Sequence, residues 1–156
     1  MLWRYLPRPP VLLLPLALIL GPAAMCPGQQ SGSLSARERT WMAESFTTER
    51  LWVWQKRLNL QEWHISVILA RAADLKPKTL GNIHWDADKK SAVIRVLDPA
   101  DYRLAPREML RDMEFTVVHE LIHLELSSLP RSDASRRDEE HAVNQIAEAL
   151  LQLDRR

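Results

Sequence analysis

The stretch between Pro106 and Pro130 constrains the fold of this chain more than any other part of the sequence. It contains no internal proline or glycine, and Pro106 stands where proline is tolerated, in the first turn of a helix. Its middle is apolar on nearly every side of a helix, which is typical of a helix buried at the centre of a domain. The apolar residues are Val117, Val118, Leu121, Ile122, Leu124 and Leu126.

The segments around this helix predict the α+β fold class. Helical spacing of apolar residues, a β-branched run and a polar connection at 86–90 favour a helix, a strand and a hairpin. The C-terminal helix is expected to begin after a capping-box-like segment at 135–138 and to carry Glu139 and Glu140. The sheet is expected to be three-stranded and antiparallel or mixed. The predicted elements are a helix over 40–58, strands over 63–70, 80–85 and 92–97, the central helix, and a helix ending near Leu153.

The N-terminal residues have the pattern of a secretory signal peptide. A basic opening precedes the uncharged apolar run 11–20, and small residues follow it. The run is shorter than the ~20 residues of a membrane-spanning helix. We therefore predict a signal peptide over 1–28, a flexible tether over 29–39, and one domain over 40–156, exported to the periplasm or secreted. A lipid anchor on Cys26 is the alternative, although Met25 is larger than the residue that usually precedes a lipidated cysteine.

Charge and cysteine content exclude nucleic-acid binding and any structure that depends on several cysteines. The chain has 21 basic and 20 acidic residues, whereas nucleic-acid binding needs a basic surface. The single cysteine excludes an internal disulfide and a cysteine-based zinc site. Nucleic acid is therefore not an expected partner. No membrane span is expected after signal removal, and the oligomeric state is left open.

The central helix carries a sequence suited to binding a metal ion. His119 and His123 are four positions apart, so their rings project from one face of the helix. Glu120 flanks that face and can reach a water molecule on the metal without being a ligand. This is the HExxH arrangement, in which the glutamate acts as a general base beside zinc.

The residues around the motif resemble the zinc metallopeptidases called zincins. Thr116 and the uncharged residues that follow fit the extended zincin signature, whereas Glu125 replaces a usual hydrophobic residue. The metzincin branch requires glycine and histidine where this chain has Leu126 and Leu129. The gluzincin branch takes its third ligand from a glutamate on a following helix, where this chain has Glu139 and Glu140.

Two arguments about the third ligand disagree. The apolar face of the last helix is predicted from Ala142, Val143, Ile146, Ala147 and Leu150, and its centre lies nearer Glu139. In contrast, the segment from Glu140 to Asn144 resembles a gluzincin helix in which the first glutamate binds zinc and the residue four positions later hydrogen-bonds a ligand histidine. We favour Glu140 as the third ligand, with Asn144 hydrogen-bonded to a ligand histidine, and Glu139 remains the alternative ligand. His141 points away from both the apolar face and Glu140, so we expect it to be exposed.

The resemblance implies a minimal zincin-like domain that hydrolyses peptide bonds of a peptide or protein substrate, with Zn²⁺ as cofactor and Glu120 as general base. Over about 58–153 the chain is similar overall to compact ImmA/IrrE-like and phage-type metallopeptidases. Tyr102 is a candidate oxyanion donor, while His64 and His84 are expected to be ordinary sheet residues. Two alternatives stay open: a zinc-holding, non-catalytic protein-binding module, and a helical interaction protein without metal.

Overall fold

A computed structural model describes residues 34–130 and 133–155 and confirms the α+β class. In the described part, three α-helices accompany a three-stranded mixed sheet, in the predicted order. The helices are α1 (Ala36–Arg57), α2 (Pro106–Glu125) and α3 (Asp133–Asp154), and the strands are β1 (His64–Ala70), β2 (Gly81–Asp86) and β3 (Ser91–Leu97).

Helix α1 begins four residues before the predicted start at position 40. Ser35 is its N-cap: the Ser35 hydroxyl accepts from the backbone N–H of Glu38, and the Glu38 carboxylate accepts from the backbone N–H of Ser35. This capping box satisfies N–H groups that an uncapped helix end leaves unpaired. Residues 36–39 of the predicted tether are therefore helical. The rest of the tether up to position 33, and the predicted signal peptide with Cys26, lie outside the described residues.

The sheet has the order β1-β3-β2, which places the hairpin partner β2 at an edge. Strands β2 and β3 pair antiparallel, as predicted, while β1 runs parallel to β3. Along β3, Ile94 and Val96 are fully buried and Val93 is exposed, so alternate side chains face the core.

The predicted burial of α2 is confirmed. Its buried side chains face α1, α3 and the sheet, and Met109, Met113, Val117, Val118 and Leu121 have no exposed surface. The α-helix ends at Glu125, and a single 3₁₀ turn, Leu126–Ser128, leads to Pro130. Because this helix is held on three sides, the side chains that it presents to a cleft stand on a rigid support.

Helix α3 differs from the prediction in its start and in its buried face. It begins at Asp133, so Ser135 lies within the helix and is not its cap. A narrow stripe with i, i+4 spacing, Val143, Ala147 and Leu151, is buried, whereas Ala142 and Ile146 are exposed. A helix that packs along one seam buries a stripe of this kind rather than a broad apolar face.

None of the helices among the described residues is both long enough and apolar enough to span a lipid bilayer.

Candidate metal centre

The two histidines of α2 converge as their spacing predicts. His119 and His123 stand one helical turn apart, and their ring centroids are 4.7 Å from each other. Their Nε2 atoms are 3.0 Å apart, and only 15% and 11% of the two side chains is exposed. Two imidazole nitrogens therefore point at one small volume on the cleft side of the helix.

Helix α3 brings a carboxylate to these two nitrogens. The Glu140 carboxylate has one oxygen 3.3 Å from Nε2 of His123 and the other 3.5 Å from Nε2 of His119. Donor atoms of all three residues lie within 4.8 Å of one another. His119, His123 and Glu140 can therefore hold a metal ion together.

Glu139 lies on the other side of His123. Its side chain is only 15% exposed, against 58% for Glu140, so Glu139 is the more buried of the two acids. Its Oε1, however, is 3.0 Å from Nδ1 of His123, on the opposite edge of the ring from the Nε2 atom that faces Glu140. Both acids of the pair thus contact the same imidazole, one at each nitrogen.

Asn144 gives His119 the equivalent support. Its Oδ1 lies 3.1 Å from Nδ1 of His119, as the resemblance implied for the residue four positions after Glu140. An acceptor at Nδ1 favours the tautomer with the proton there, which leaves the Nε2 lone pair free to bind a metal. The sequence argument considered Glu139 only as a metal ligand and missed its contact with Nδ1 of His123. The sequence reasoning could have found this contact, because an acceptor was assigned to only one ligand histidine and the second imidazole needs one as well.

The spacing of the donor atoms fits a tetrahedral zinc ion. Zinc lies about 2.0–2.1 Å from nitrogen or oxygen ligands, and tetrahedral geometry then separates the ligand atoms by about 3.3–3.4 Å. Here the two Nε2 atoms are 3.0 Å apart, and each lies 3.3 or 3.5 Å from a different oxygen of the Glu140 carboxylate. Two imidazoles and one carboxylate also match the donor set of open, three-ligand zinc sites. The residues present therefore fit the ion.

Burial shifts the pKa values of two groups at this centre. Desolvation lowers the pKa of His119, and the neighbouring His123 lowers it further, while Glu140 and Asn144 act in the opposite direction. Burial also raises the pKa of Glu120 to about 7, with a further rise from the charge of Glu140 that Lys76 partly offsets. A neutral His119 is the form that binds metal.

The centre lies in a cleft of about 640 Å³, a volume usual for ligand sites. Its walls come from α2, from α3, and from β2 with the loop before it. Gly81 lets β2 approach α2 closely, since a Cβ atom there would stand 2.4 Å from Cγ2 of Thr116. In the wall formed by β2, Oδ1 of Asn82 is buried without a hydrogen-bond partner among the described residues.

Tyr102, the candidate oxyanion donor, lies elsewhere. Its hydroxyl donates to Asp112 at 2.8 Å, and its ring packs against Ala70, Leu75 and Leu97 rather than lining the cleft. Desolvation, together with this contact to Asp112, raises its pKa. The structure therefore gives no support to Tyr102 as an oxyanion donor, because the loop before α2 turns the ring toward the end of the sheet.

The remaining histidines lie outside the cluster. His64, His84 and His141 are exposed, and the Nδ1 atom of His84 contacts the neighbouring carbonyl of Ile83 at 3.1 Å. None of the three lines the cleft.

Comparisons with protein-family models, with curated proteins and with solved structures find no match to this chain.

Proposed function

We propose that this protein is a zinc-dependent metallopeptidase of the gluzincin type. One observation carries the proposal: the Nε2 atoms of His119 and His123 and the carboxylate of Glu140 meet in a cleft that Glu120 also lines. Hydrolytic zinc sites combine three protein ligands with a further carboxylate that does not bind the metal. Assignment to the zincins rests on this geometry and on the HExxH sequence.

The residues of the site have separate proposed roles. His119, His123 and Glu140 would hold zinc, while Asn144 and Glu139 keep the two rings oriented through their Nδ1 atoms. Zinc, when bound, supplies a lowered pKa for water and polarisation of the scissile carbonyl. Nitrogen ligands favour zinc over Mg²⁺ or Ca²⁺, which prefer oxygen.

Glu120 is the proposed general base. It follows His119 directly on α2 and lines the same cleft, and 7% of the residue is exposed. In this role its carboxylate accepts a proton from the attacking water and then donates it to the departing amine nitrogen. A site that only bound zinc would have no use for a buried carboxylate at this position, because burying a charge is costly.

Strand β2 is the proposed binding edge for the substrate backbone. It pairs with β3 on one side, and no other described strand covers its second edge. Leu97 donates to the carbonyl of Leu80 at 2.9 Å, and the alternation of an antiparallel pair then directs the backbone groups of Gly81 and Ile83 away from β3. An extended peptide can add to such an edge through main-chain hydrogen bonds, whatever its side chains.

The test combines metal content with hydrolysis. After metal-free purification and incubation with zinc, we expect one zinc ion per chain and cleavage of unfolded casein. His119→Ala should lose both, and Glu120→Gln should keep zinc and lose cleavage. Glu125→Gln is the matched control, because Glu125 is exposed on the same helix and does not line the cleft.

Each other outcome has a definite meaning. Absence of bound zinc in the wild-type protein would refute the metal centre. Cleavage that survives Glu120→Gln would refute the general base. One bound zinc without cleavage of casein or of a peptide library would refute the peptidase and favour a zinc-holding, protein-binding module.

A further inference from the structure

We propose that the cleft selects peptides that carry a carboxylate close to the bond to be cleaved, an inference that rests on the proposed peptidase function. The observation behind it is a set of four side-chain cations in the cleft walls. They are Lys76, Lys78, Arg136 and Arg137.

These cations come from two different segments of the cleft wall. Lys76 and Lys78 lie in the loop that leads into β2, the proposed substrate-binding edge. Arg136 and Arg137 lie about one turn before Glu140 on α3, which also lines the cleft. A peptide added to β2 would therefore lie in a cleft that both pairs of cations line.

The four cations are available to a ligand. All are exposed, and none forms an ion pair with another residue in the described part of the chain. Elsewhere on the domain some exposed cations have carboxylate partners, such as Arg71 with Asp101 and Lys89 with Asp86, while others, such as Lys56, form no ion pair with a described residue. In the cleft, four cations without an ion pair line one site.

The carboxylates of the cleft do not neutralise these cations once metal is bound. Four cations stand against Glu120, Glu139 and Glu140, which leaves one positive charge, and a divalent ion brings the total to three. Glu139 and Glu140 already contact the histidines. A cleft with an excess of charge of one sign raises the local concentration of ligands of the opposite sign.

A carboxylate is the favoured anion for two reasons. The chain as a whole carries 21 basic and 20 acidic residues, so the positive charge is local, whereas nucleic acid needs an extended basic surface. An open strand edge suits a peptide backbone, and guanidinium groups pair with carboxylates in a forked geometry. The carboxylate has two possible sources in a peptide: an aspartate or glutamate side chain, or the C-terminus.

The experiment measures binding separately from turnover. Zinc-loaded Glu120→Gln and the metal-free wild-type protein are titrated with fluorescent peptides that differ only in one Glu or Gln residue and in a free or amidated C-terminus. We expect the carboxylate forms to bind about fivefold to tenfold more tightly at low salt, and the difference to fall below about twofold at 0.5 M salt. A preference confined to the Glu peptides identifies a side-chain carboxylate, and one confined to the free C-terminus identifies the chain end.

Single neutralised variants test the named cations. Lys78 has a φ of 66°, a left-handed conformation that asparagine tolerates, so Lys78→Asn removes the charge without added strain. Arg137→Gln does the same on exposed helix. Each variant should reduce the carboxylate preference about twofold to fivefold. Lys56→Gln, an equal change of charge on α1 away from the cleft, should leave the preference unchanged, and thermal unfolding confirms that each variant is folded.

The outcomes separate this inference from the proposed function. Equal binding of all four peptides, or an unchanged preference in both cleft variants, overturns carboxylate selection even if casein is cleaved. Carboxylate-dependent binding without any cleavage overturns the peptidase and leaves the selectivity of the cleft established.

Discussion

Replacing Gly81 with alanine tests whether β2 is held against α2 as closely as the structure indicates. A Cβ atom at this position would lie 2.4 Å from Cγ2 of Thr116 and 2.6 Å from the carbonyl oxygen of Arg95. Carbon atoms in contact are normally about 3.5–4.0 Å apart, so the overlap with Thr116 exceeds about 1 Å.

Neither neighbour can move away at little cost. The hydroxyl of Thr116 donates to the carbonyl of Asp112 at 3.0 Å, and rotation of the branched side chain would break that hydrogen bond. The oxygen of Arg95 belongs to the backbone of β3, the central strand. We therefore expect Gly81→Ala to lower the free energy of unfolding by about 3 kcal/mol, the upper part of the range for overpacking.

The assay is urea and thermal unfolding of the metal-free protein. For a domain of this size, a loss of that magnitude corresponds to a fall in Tm of roughly 10 °C. In a Thr116→Ser background, which keeps the hydroxyl and removes Cγ2, the cost of Gly81→Ala should fall by about 1 kcal/mol but remain, because the contact with Arg95 persists. A Gly81→Ala protein within about 0.5 kcal/mol of wild type, or strictly additive effects in the double variant, would show that β2 does not pack in this way.

Two further predictions concern the support of the metal and the pH dependence of stability. Glu139→Gln should weaken zinc binding about 10-fold to 100-fold, because it removes a charged acceptor from Nδ1 of His123. Glu140→Gln should weaken zinc binding more, since it removes the proposed third ligand. Competition with a chelator ranks the two variants, and the reverse order would contradict the assignment. The Arg71 guanidinium, helped by the backbone N–H of Ala72, lowers the pKa of Asp101 to about 2, so the stability that Asp101 contributes is present above its ordinary value of 3.8 and is lost as the pH falls toward 2. Asp101→Asn should therefore be less stable than wild type in urea unfolding at pH 5 and equally stable near pH 2, and a difference that does not change with pH would exclude the ion pair as its cause.

Local rules were sufficient for most of the fold. Periodicity identified α2 and its burial, and the polar connection at 86–90 identified the β2–β3 hairpin, because both signals depend on residues close in sequence. The start of α1 was placed too late, since its cap, Ser35, lies in a segment whose small polar residues resemble a linker. The parallel pairing of β1 with β3 joins segments distant in sequence, and the expectation of an antiparallel or mixed sheet left it open.

In the candidate site, too, contacts within one helix could be predicted from the sequence, whereas contacts between helices could not. Helical geometry alone brings His119 and His123 to one face of α2, because four residues make about one turn. The choice between Glu139 and Glu140 depends on how α3 is rotated against α2, a property of packing between helices, and adjacent residues on a helix differ by about 100°. The position of Tyr102 outside the cleft could not be predicted for a similar reason, since the path of a loop decides where its side chains point.

The sequence by itself determined a central buried helix with two histidines and a glutamate on its cleft side, together with the α+β order of elements. Only the tertiary structure decided that Glu140 meets both Nε2 atoms, that Glu139 and Asn144 hold the two Nδ1 atoms, and that unpaired cations line the cleft. The physical reason is that periodicity acts within one element. The meeting of side chains from different elements depends on the angles and rotations at which those elements pack.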